Sequence, residues 1–240
     1  MLRRAVSFVR GALARCTRDR RGIAAVEFAI VVPVILILYV GAADVTRAVQ
    51  MGRRLDLLSR TVSDLVSQQS TTTPVSASTV GLIFGAATAV MAPFPTSSVT
   101  LTVSAVDIKA KSDGTCCQAL VRWSFTQNGT LRACTTPLTQ VGNGAPASAT
   151  TIPSSIILAN SAGGFNYLAG STSYLIIADI TGTYTPFFTS LPPPLGNPST
   201  WFQAGMRRTT YMVPRSPTGP IKLATPITGT GPGQSGVVCF

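Results

Sequence analysis

The apolar positions of the chain form three successive patterns, and each pattern predicts a different kind of element. Residues 23–43 are an almost continuous apolar run that is interrupted by a single carboxylate. Apolar residues then recur at helical spacings to about residue 67, on a stripe that contains Leu55, Leu58 and Val62. Farther on they alternate with polar residues, as in half-buried strands. We therefore predict an α+β fold, in which a long N-terminal helix packs on an antiparallel sheet.

The apolar run is long enough to cross a membrane. Its 21 residues would measure about 31 Å as a helix, and the hydrocarbon core of a bilayer is about 30 Å thick. The amphipathic residues 44–69 follow without a linker, so one helix is predicted to lie first in lipid and then against a folded domain. Pro33 removes a helical hydrogen bond in the middle of the run, which predicts a kink. That kink is either simply tolerated or a point at which the helix bends within an assembly.

Residues 70–240 are predicted to form the folded domain. A loop rich in Ser, Thr and Pro leads to a second helix at 79–91. A strand begins near Val99, and its alternation slips at Val106, which predicts a β-bulge or the end of the strand. Val121, Trp123 and Phe125 form the inward row of the next strand. Further strands are predicted at 174–184 and 206–213.

The connections of this domain are predicted from turn chemistry and composition. Asn128-Gly129 is typical of a two-residue hairpin turn, so a returning strand is predicted at 131–135. Residues 136–170 are mainly Gly, Ala, Ser, Thr and Asn, and they indicate no particular fold. The tail, residues 216–240, is rich in Pro, Gly and Thr and is predicted to be irregular. The sheet is therefore expected to have about four strands joined by long loops.

The charge of the chain is unevenly distributed. A formal net charge of +11 usually suggests nucleic acid or an anionic membrane as a partner. Residues 1–21, however, contain seven arginines and one aspartate, which together carry a net charge of +6. Basic residues ahead of a span mark its cytoplasmic side, so the N-terminus is predicted to lie inside and the folded domain to be exported. Attraction of these arginines to anionic lipid explains the charge without nucleic acid.

The carboxylate in the apolar run belongs to Glu27, which is the only glutamate in the chain. An ionised side chain in lipid is costly and by default indicates a functional site. Glu27 comes five residues after Gly22 and is followed by Phe28. This arrangement resembles a prepilin peptidase site. Such a site has a basic leader, a glycine, four further residues, a glutamate and an aromatic residue, followed by an apolar helix.

The sequence around this site resembles a known family. The string Arg-Arg-Gly-Ile-Ala-Ala-Val-Glu-Phe-Ala-Ile-Val-Val-Pro is similar to that of the TadE-like minor pseudopilins of the tight-adherence pilus, and the resemblance covers about residues 20–60. It implies a pilin-like fold and cleavage between Gly22 and Ile23, which would remove a basic leader, residues 1–22. Glu27 would then meet the new α-amino group of a neighbouring subunit inside the membrane. The large domain implies a minor or tip subunit.

The resemblance also implies a location and a set of partners. The chain would lie in the bacterial inner membrane, with its N-terminus cytoplasmic and its domain periplasmic, or within a surface pilus. Its partners would be the inner membrane, other pilus subunits, assembly-platform proteins and the prepilin peptidase. Nucleic acid and small-molecule substrates are not expected as partners.

Two other interpretations compete with the pseudopilin. The chain could be an uncleaved, membrane-anchored envelope binding protein, in which Glu27 lies near the cytoplasmic interface and extends its carboxylate toward water. It could also carry a secretory signal peptide, because Gly41 and Ala43 form a small-x-small cleavage site after an apolar region. Against the signal peptide, the run is long, contains Glu27 and Pro33, and continues directly into another helical pattern.

The residue types argue against catalysis. The chain has no histidine, which rules out a Ser-His-Asp system and removes the commonest ligand of metal sites. The aspartates of the predicted domain are scattered, without the spacing of paired acid–base groups. No glycine-rich phosphate motif follows a predicted strand. We expect no enzyme activity, no catalytic residue, no cofactor and no metal site.

Four cysteines follow the apolar run: Cys116, Cys117, Cys134 and Cys239. An even number in an oxidising compartment predicts two disulfides. If Asn128-Gly129 closes a hairpin, Cys117 lies roughly 20 Å along the strand from Cys134, beyond the permitted Cα separation of about 7 Å. Cys239 is therefore expected to hold the tail to Cys116 or Cys117, and the remaining connectivity stays open.

Overall fold

One long helix, α1, opens the described part of the chain and extends over Arg21–Ser67. The computed structural model describes residues 21–109, 117–134, 136–142, 148, 150–157, 173–186, 205–215, 219–228 and 230–239. The predicted leader before residue 21, Cys116 and most of 136–170 therefore lie outside the described residues. The chain divides into two units, Met1–Val49 and Gln50–Phe240.

The described part of the first unit is the N-terminal portion of α1. Pro33 lies inside this helix, and the apolar side chains around it are not packed against protein. Phe28 and Tyr39 are 70% and 72% exposed, and the large apolar residues between them are also exposed, except for the half-buried Val32. The segment is long and apolar enough to cross a membrane. Its exposed apolar surface suits a lipid environment, because the same surface in water would be unfavourable.

The second unit combines the rest of α1 with an antiparallel sheet. The sheet has five strands, and two further short strands form a separate parallel pair. This arrangement confirms the predicted α+β fold, with one strand more than expected. After α1, the elements are α2 (Ala77–Thr88), two 3-10 turns (Ala89–Met91 and Thr96–Ser98), β1 (Val99–Lys109), β2 (Gln118–Gln127), β3 (Thr139–Val141), β4 (Thr151–Pro153), α3 (Ser154–Ile157), β5 (Ser173–Thr183), β6 (Gly205–Met212) and β7 (Gln234–Val238). The strand order in the sheet is β6-β5-β1-β2-β7, and the parallel pair consists of β3 and β4.

One face of the sheet packs against the helices of this unit. Leu55, Leu58 and Val62 of the predicted stripe are buried there. The rings of Phe84 on α2 and Phe125 on β2 lie 5.7 Å apart between their centroids. The stripe continues through buried residues that the sequence analysis did not include, namely Met51, Ser59, Ser63, Val66 and Ser67.

The buried serines let α1 lie close to β6 without leaving polar atoms unpaired. The Ser59 hydroxyl lies 2.7 Å from the Thr210 hydroxyl. Ser63 donates to the Ser59 carbonyl over 2.8 Å, and Ser67 donates to the sulfur of Met212 over 3.3 Å. A buried hydroxyl without a partner is destabilising, so these bonds are what make serine acceptable on the packed face.

The opposite face of the sheet carries a second, smaller core. This core lies between β1, β2 and β5 of the sheet and the covering segment that contains β3, β4 and α3. Because successive strand residues point to opposite faces, a sheet that is covered on both sides needs apolar residues at both the odd and the even positions of its strands. The buried members of this core are Val106, Ile108, Cys117, Ala119, Val121, Leu138, Ile152, Ile157, Leu175 and Ile177.

A β-bulge lies where the sequence analysis found a slip in alternation. Ala105 pairs with Trp123 and Val106 pairs with Val121, so Arg122 is the extra residue and the bulge is on β2. Trp123 and Val121 are both buried, as predicted, but the bulge directs them to different faces. The Arg122 side chain turns to Asp107 of β1, donating from Nε to a carboxylate oxygen 3.0 Å away.

The predicted hairpin at Asn128-Gly129 is wrong. Asn128 has a left-handed backbone (φ 55°), but residues 131–133 form no strand. The chain instead crosses the sheet face, where a Cβ on Gly129 would lie 2.6 Å from the Thr126 hydroxyl. The place of the returning strand beside β2 is taken by β7.

The tail is more ordered than its composition predicts. Its strand β7 pairs with β2, and the Trp123 indole donates to the Ile221 carbonyl over 2.7 Å. Leu223 forms a bridge with Val75. Gly236 lies against Phe125, where an added Cβ would be 2.8 Å from a ring carbon. These partners are distant in sequence, which is why local composition indicated an irregular tail.

Candidate functional site

The predicted assembly residues lie together on the N-terminal portion of α1. Gly22, Ile23, Glu27, Phe28 and Pro33 all belong to this helix. Gly22, Glu27 and Phe28 are exposed. A Cβ on Gly22 would meet no atom within 4 Å, so the fold of this chain does not itself require glycine there.

Glu27 places a carboxylate among exposed apolar side chains. Val26, Phe28 and Ile30 around it are more than 60% exposed. Within the described residues, the carboxylate takes part in no ion pair. A lone anion in an apolar environment is stabilised by a cationic partner. The surface of this helix is therefore suited to meeting a positive group on another molecule.

The cysteines form a different connection from the one expected. Cys134 and Cys239 are joined in a disulfide, with a Cα separation of 5.2 Å and 105 residues between them in the chain. Cys239 therefore does not pair with Cys116 or Cys117. The pairing of β7 with β2 explains this, because Cys239 donates its amide to the Arg122 carbonyl over 2.7 Å and the segment after the Asn128 turn brings Cys134 back. Cys117 is also disulfide-bonded.

A charged cluster lies on the polar part of the sheet face opposite the helices. Asp179 of β5 is buried and pairs with two arginines, Arg132 and Arg207. Arg207 of β6 reaches the carboxylate over 3.2 Å, and the Thr209 hydroxyl donates to the same oxygen over 2.7 Å. Arg132 is fully buried and donates also to the Thr151 carbonyl of β4 over 3.4 Å. The cluster thus connects the sheet with the covering segment.

Tyr211 lies beside this cluster on β6. Its pKa is raised above 10.0, first because burial disfavours the phenolate and second because Asp179 repels it, although Arg132 and Arg207 act in the opposite direction. Its hydroxyl is buried without a hydrogen-bond partner among the residues that the structure describes. Tyr211 therefore keeps its proton to a higher pH than an exposed tyrosine would.

Sequence reasoning missed the charged cluster. It treated Asp179 as one of several scattered aspartates, because Arg132 and Arg207 are 47 and 28 residues away. One signal was present in the sequence. Asp179 interrupts a strand that is otherwise strongly apolar, and a charge in such a strand needs a partner.

The fold and the exposed helix surface together indicate a folded domain with a membrane-anchoring helix. A helix that is long and apolar enough to cross a membrane leads into an α+β domain that carries a disulfide. This combination is consistent with membrane anchoring of a folded domain.

A comparison with known protein families finds one family that matches part of α1. Residues 22–63 match the family described as TadE-like protein, which confirms the resemblance over most of α1. This segment of the chain is therefore similar to the TadE-like family, which consists of pilus structural or assembly components and not of enzymes. The match begins at Gly22 and contains Glu27. No curated protein and no solved structure is significantly similar to the chain.

Proposed function

We propose that the chain is a minor pseudopilin-like component of tight-adherence pilus biogenesis. It would be inserted with its N-terminus inside, cleaved between Gly22 and Ile23, and assembled through its N-terminal helix. The observation that carries this proposal is the TadE-like match, which starts at Gly22 and covers the exposed apolar helix with its single glutamate. The charge of residues 1–21 supports the orientation, because basic residues mark the cytoplasmic side of a span.

The proposed role of Glu27 follows from electrostatics in lipid. Cleavage would give Ile23 a positively charged α-amino group, and Glu27 lies about one helical turn farther along α1. A neighbour displaced along the filament axis would bring its amino group level with this carboxylate. Each charge alone is costly in lipid, whereas the two together partly cancel. Assembly would therefore be favoured over the free subunit.

Processing provides the direct test of the proposal. We expect the mature chain to begin at Ile23, and Gly22→Val to block cleavage while leaving membrane insertion intact. The measurement is N-terminal sequencing and intact-mass analysis of protein from its native membrane. Gly41→Val is the matched control, because a side chain at either glycine would meet no atom within 4 Å. Cleavage of this control should be normal.

The two competing interpretations give different results in the same experiment. Protein that still begins at Met1 would identify an uncleaved anchor. A start near Asp44, abolished by Gly41→Val and not by Gly22→Val, would identify a signal peptide.

A second test concerns the charge of Glu27. Glu27→Gln keeps the shape of the side chain and removes its charge, so cleavage and insertion should be normal while association with pilus components weakens. Crosslinking to partner subunits and counting of assembled pili measure this loss. Asp44→Asn serves as control, because it removes a carboxylate that lies outside the run of residues 23–43. Full assembly of the Gln variant would show that the Glu27 charge does not determine assembly.

A further inference from the structure

A polar groove of about 420 Å³ lies on the sheet face opposite the helices, beside the charged cluster. We call it the threonine groove. Its volume lies within the range of roughly 300–1,000 Å³ that is usual for small-ligand sites. None of its described lining residues has an apolar side chain; they are Thr100, Thr102, Asn128, Gly129, Thr130, Asp179, Thr181 and Arg207.

The floor of the groove is fixed by hydrogen bonds between threonines. Thr100 and Thr181 bond to each other through their hydroxyls. The Thr102 hydroxyl lies 2.8 Å from that of Thr126 and 3.1 Å from the Thr130 carbonyl. A hydroxyl has one donor and two acceptor sites, so the bond between Thr100 and Thr181 leaves capacity on both oxygens. The groove therefore presents hydroxyl groups in a fixed arrangement.

One positively charged side chain, that of Arg207, lines the groove and is partly exposed. Asp179 is buried and already accepts from Arg132, Arg207 and Thr209. Two guanidinium groups meet at this one carboxylate, and they differ in their exposure. The Arg132 side chain is fully buried, whereas that of Arg207 is 34% exposed. The Arg207 guanidinium is thus accessible from the groove, beside the hydroxyl floor.

We propose that the threonine groove binds a carboxylated saccharide unit, such as a uronic acid residue of a surface polysaccharide. The Arg207 guanidinium would bind the sugar carboxylate, since arginine matches the planar geometry of that group. The hydroxyls of Thr100 and Thr181 and the amide of Asn128 would bind sugar hydroxyls. A simple carboxylate would use only Arg207, and a neutral sugar would leave the guanidinium unused. This inference goes beyond the proposed pilus role and does not depend on it.

Ligand-observed NMR on the full chain in lipid nanodiscs tests the proposal. Saturation-transfer titrations would compare D-glucuronate with D-glucose, which lacks the carboxylate, and with acetate, which lacks the hydroxyls. We expect glucuronate to bind at least about tenfold more tightly than either, since hydrogen bonds to charged groups are stronger than neutral ones. Arg207→Gln should abolish this preference. Arg208→Gln is the matched control, because Arg208 lies one residue away with its guanidinium near Gly52, on the helix side of the sheet.

A second variant separates loss of binding from loss of structure, because Arg207 also holds Asp179. Thr181→Val keeps both ion pairs and removes one groove hydroxyl, so it should weaken glucuronate binding several-fold without changing the thermal unfolding temperature much. Equal binding of glucuronate and acetate would overturn the saccharide assignment. Equal binding of glucuronate and glucose would overturn the role of Arg207, and no saturable binding of glucuronate would overturn the site. Because the assay measures binding alone, it leaves the processing tests of the pilus proposal independent.

Discussion

Asp179 shows how one residue can decide the arrangement of several others. Its carboxylate binds Arg207 and Thr209 of the neighbouring strand and also Arg132, which comes from the segment that crosses the sheet. A buried carboxylate is stable only when charges and donors surround it. The sequence shows the three residue types but not their meeting, since that depends on the crossing after Asn128. This is why the cluster could not be predicted although each of its members is visible.

The buried pair of Arg132 and Asp179 should matter far more than a surface pair. We expect Arg132→Leu to lower the free energy of unfolding by about 3 kcal/mol, because a buried carboxylate loses one of its two cationic partners. Arg215→Leu breaks the surface pair of Arg215 and Asp64, in which the two side chains are 64% and 38% exposed. It should lower the free energy of unfolding by less than about 1 kcal/mol. Urea denaturation of both variants measures the difference. Equal losses of unfolding free energy in the two variants would show that the buried pair contributes no more to stability than the surface pair.

At the scale of elements, the contact between α1 and the sheet depends on residues without bulk. Gly182 of β5 lies under the helix, where an added Cβ would be 3.0 Å from atoms of Leu55 and Met51. The apolar stripe predicted which side of α1 is buried, because the 3.6-residue period alone determines that face. The separation of helix and sheet could not be predicted, since it depends on Gly182 and on the serines of α1.

A side chain at Gly182 should push the helix and the sheet apart. We expect Gly182→Val to lower the free energy of unfolding by about 1–3 kcal/mol, as overpacked cores do. Gly205→Val is the matched control in the adjacent strand, because a Cβ there would meet no atom within 4 Å. Its effect should stay within about 0.5 kcal/mol. If both variants unfold at the same denaturant concentration, the close approach of helix and sheet at Gly182 is not important for stability.

The strands differ in how well their sequences predict them. Residues of β1, β5 and β6 carry local alternation or apolar runs, and these strands lie within a few residues of the predicted positions. β7 carries Gly236 and lies among prolines and glycines, so its local signal is weak. Its stability comes from β2, which is more than a hundred residues earlier in the chain. Pairings of this kind require tertiary information that composition does not contain.

At the scale of the whole second unit, the disulfide fixes the tail to the sheet. Cys134 lies in the segment that follows β2 and its turn, and Cys239 directly follows β7. The bond therefore holds the end of the edge strand next to the segment that crosses the sheet. A link across 105 residues removes considerable freedom from the unfolded chain.

Removal of this disulfide should weaken one edge of the sheet selectively. The double variant Cys134→Ala/Cys239→Ala should unfold with about 2–5 kcal/mol less free energy than the native chain. Hydrogen exchange should show the amides of β7 losing protection first, while those of β6 on the opposite edge serve as an internal control. Equal loss at both edges would contradict a local role. Thiol alkylation of unreduced, denatured protein should find Cys134 and Cys239 unreactive.

The strand order also has a consequence for biogenesis. β2 lies between β1 and β7, yet β1 directly precedes it and β7 follows the long segment that supplies β5 and β6. While the chain is being synthesised, the β2 edge and the Trp123 indole remain without their partners until residues 221–239 are available. Contacts between residues so distant in sequence form slowly, and an open strand edge invites pairing with another copy. The interval between emergence of β2 and arrival of β7 is therefore the stage at which this protein is most exposed to aggregation.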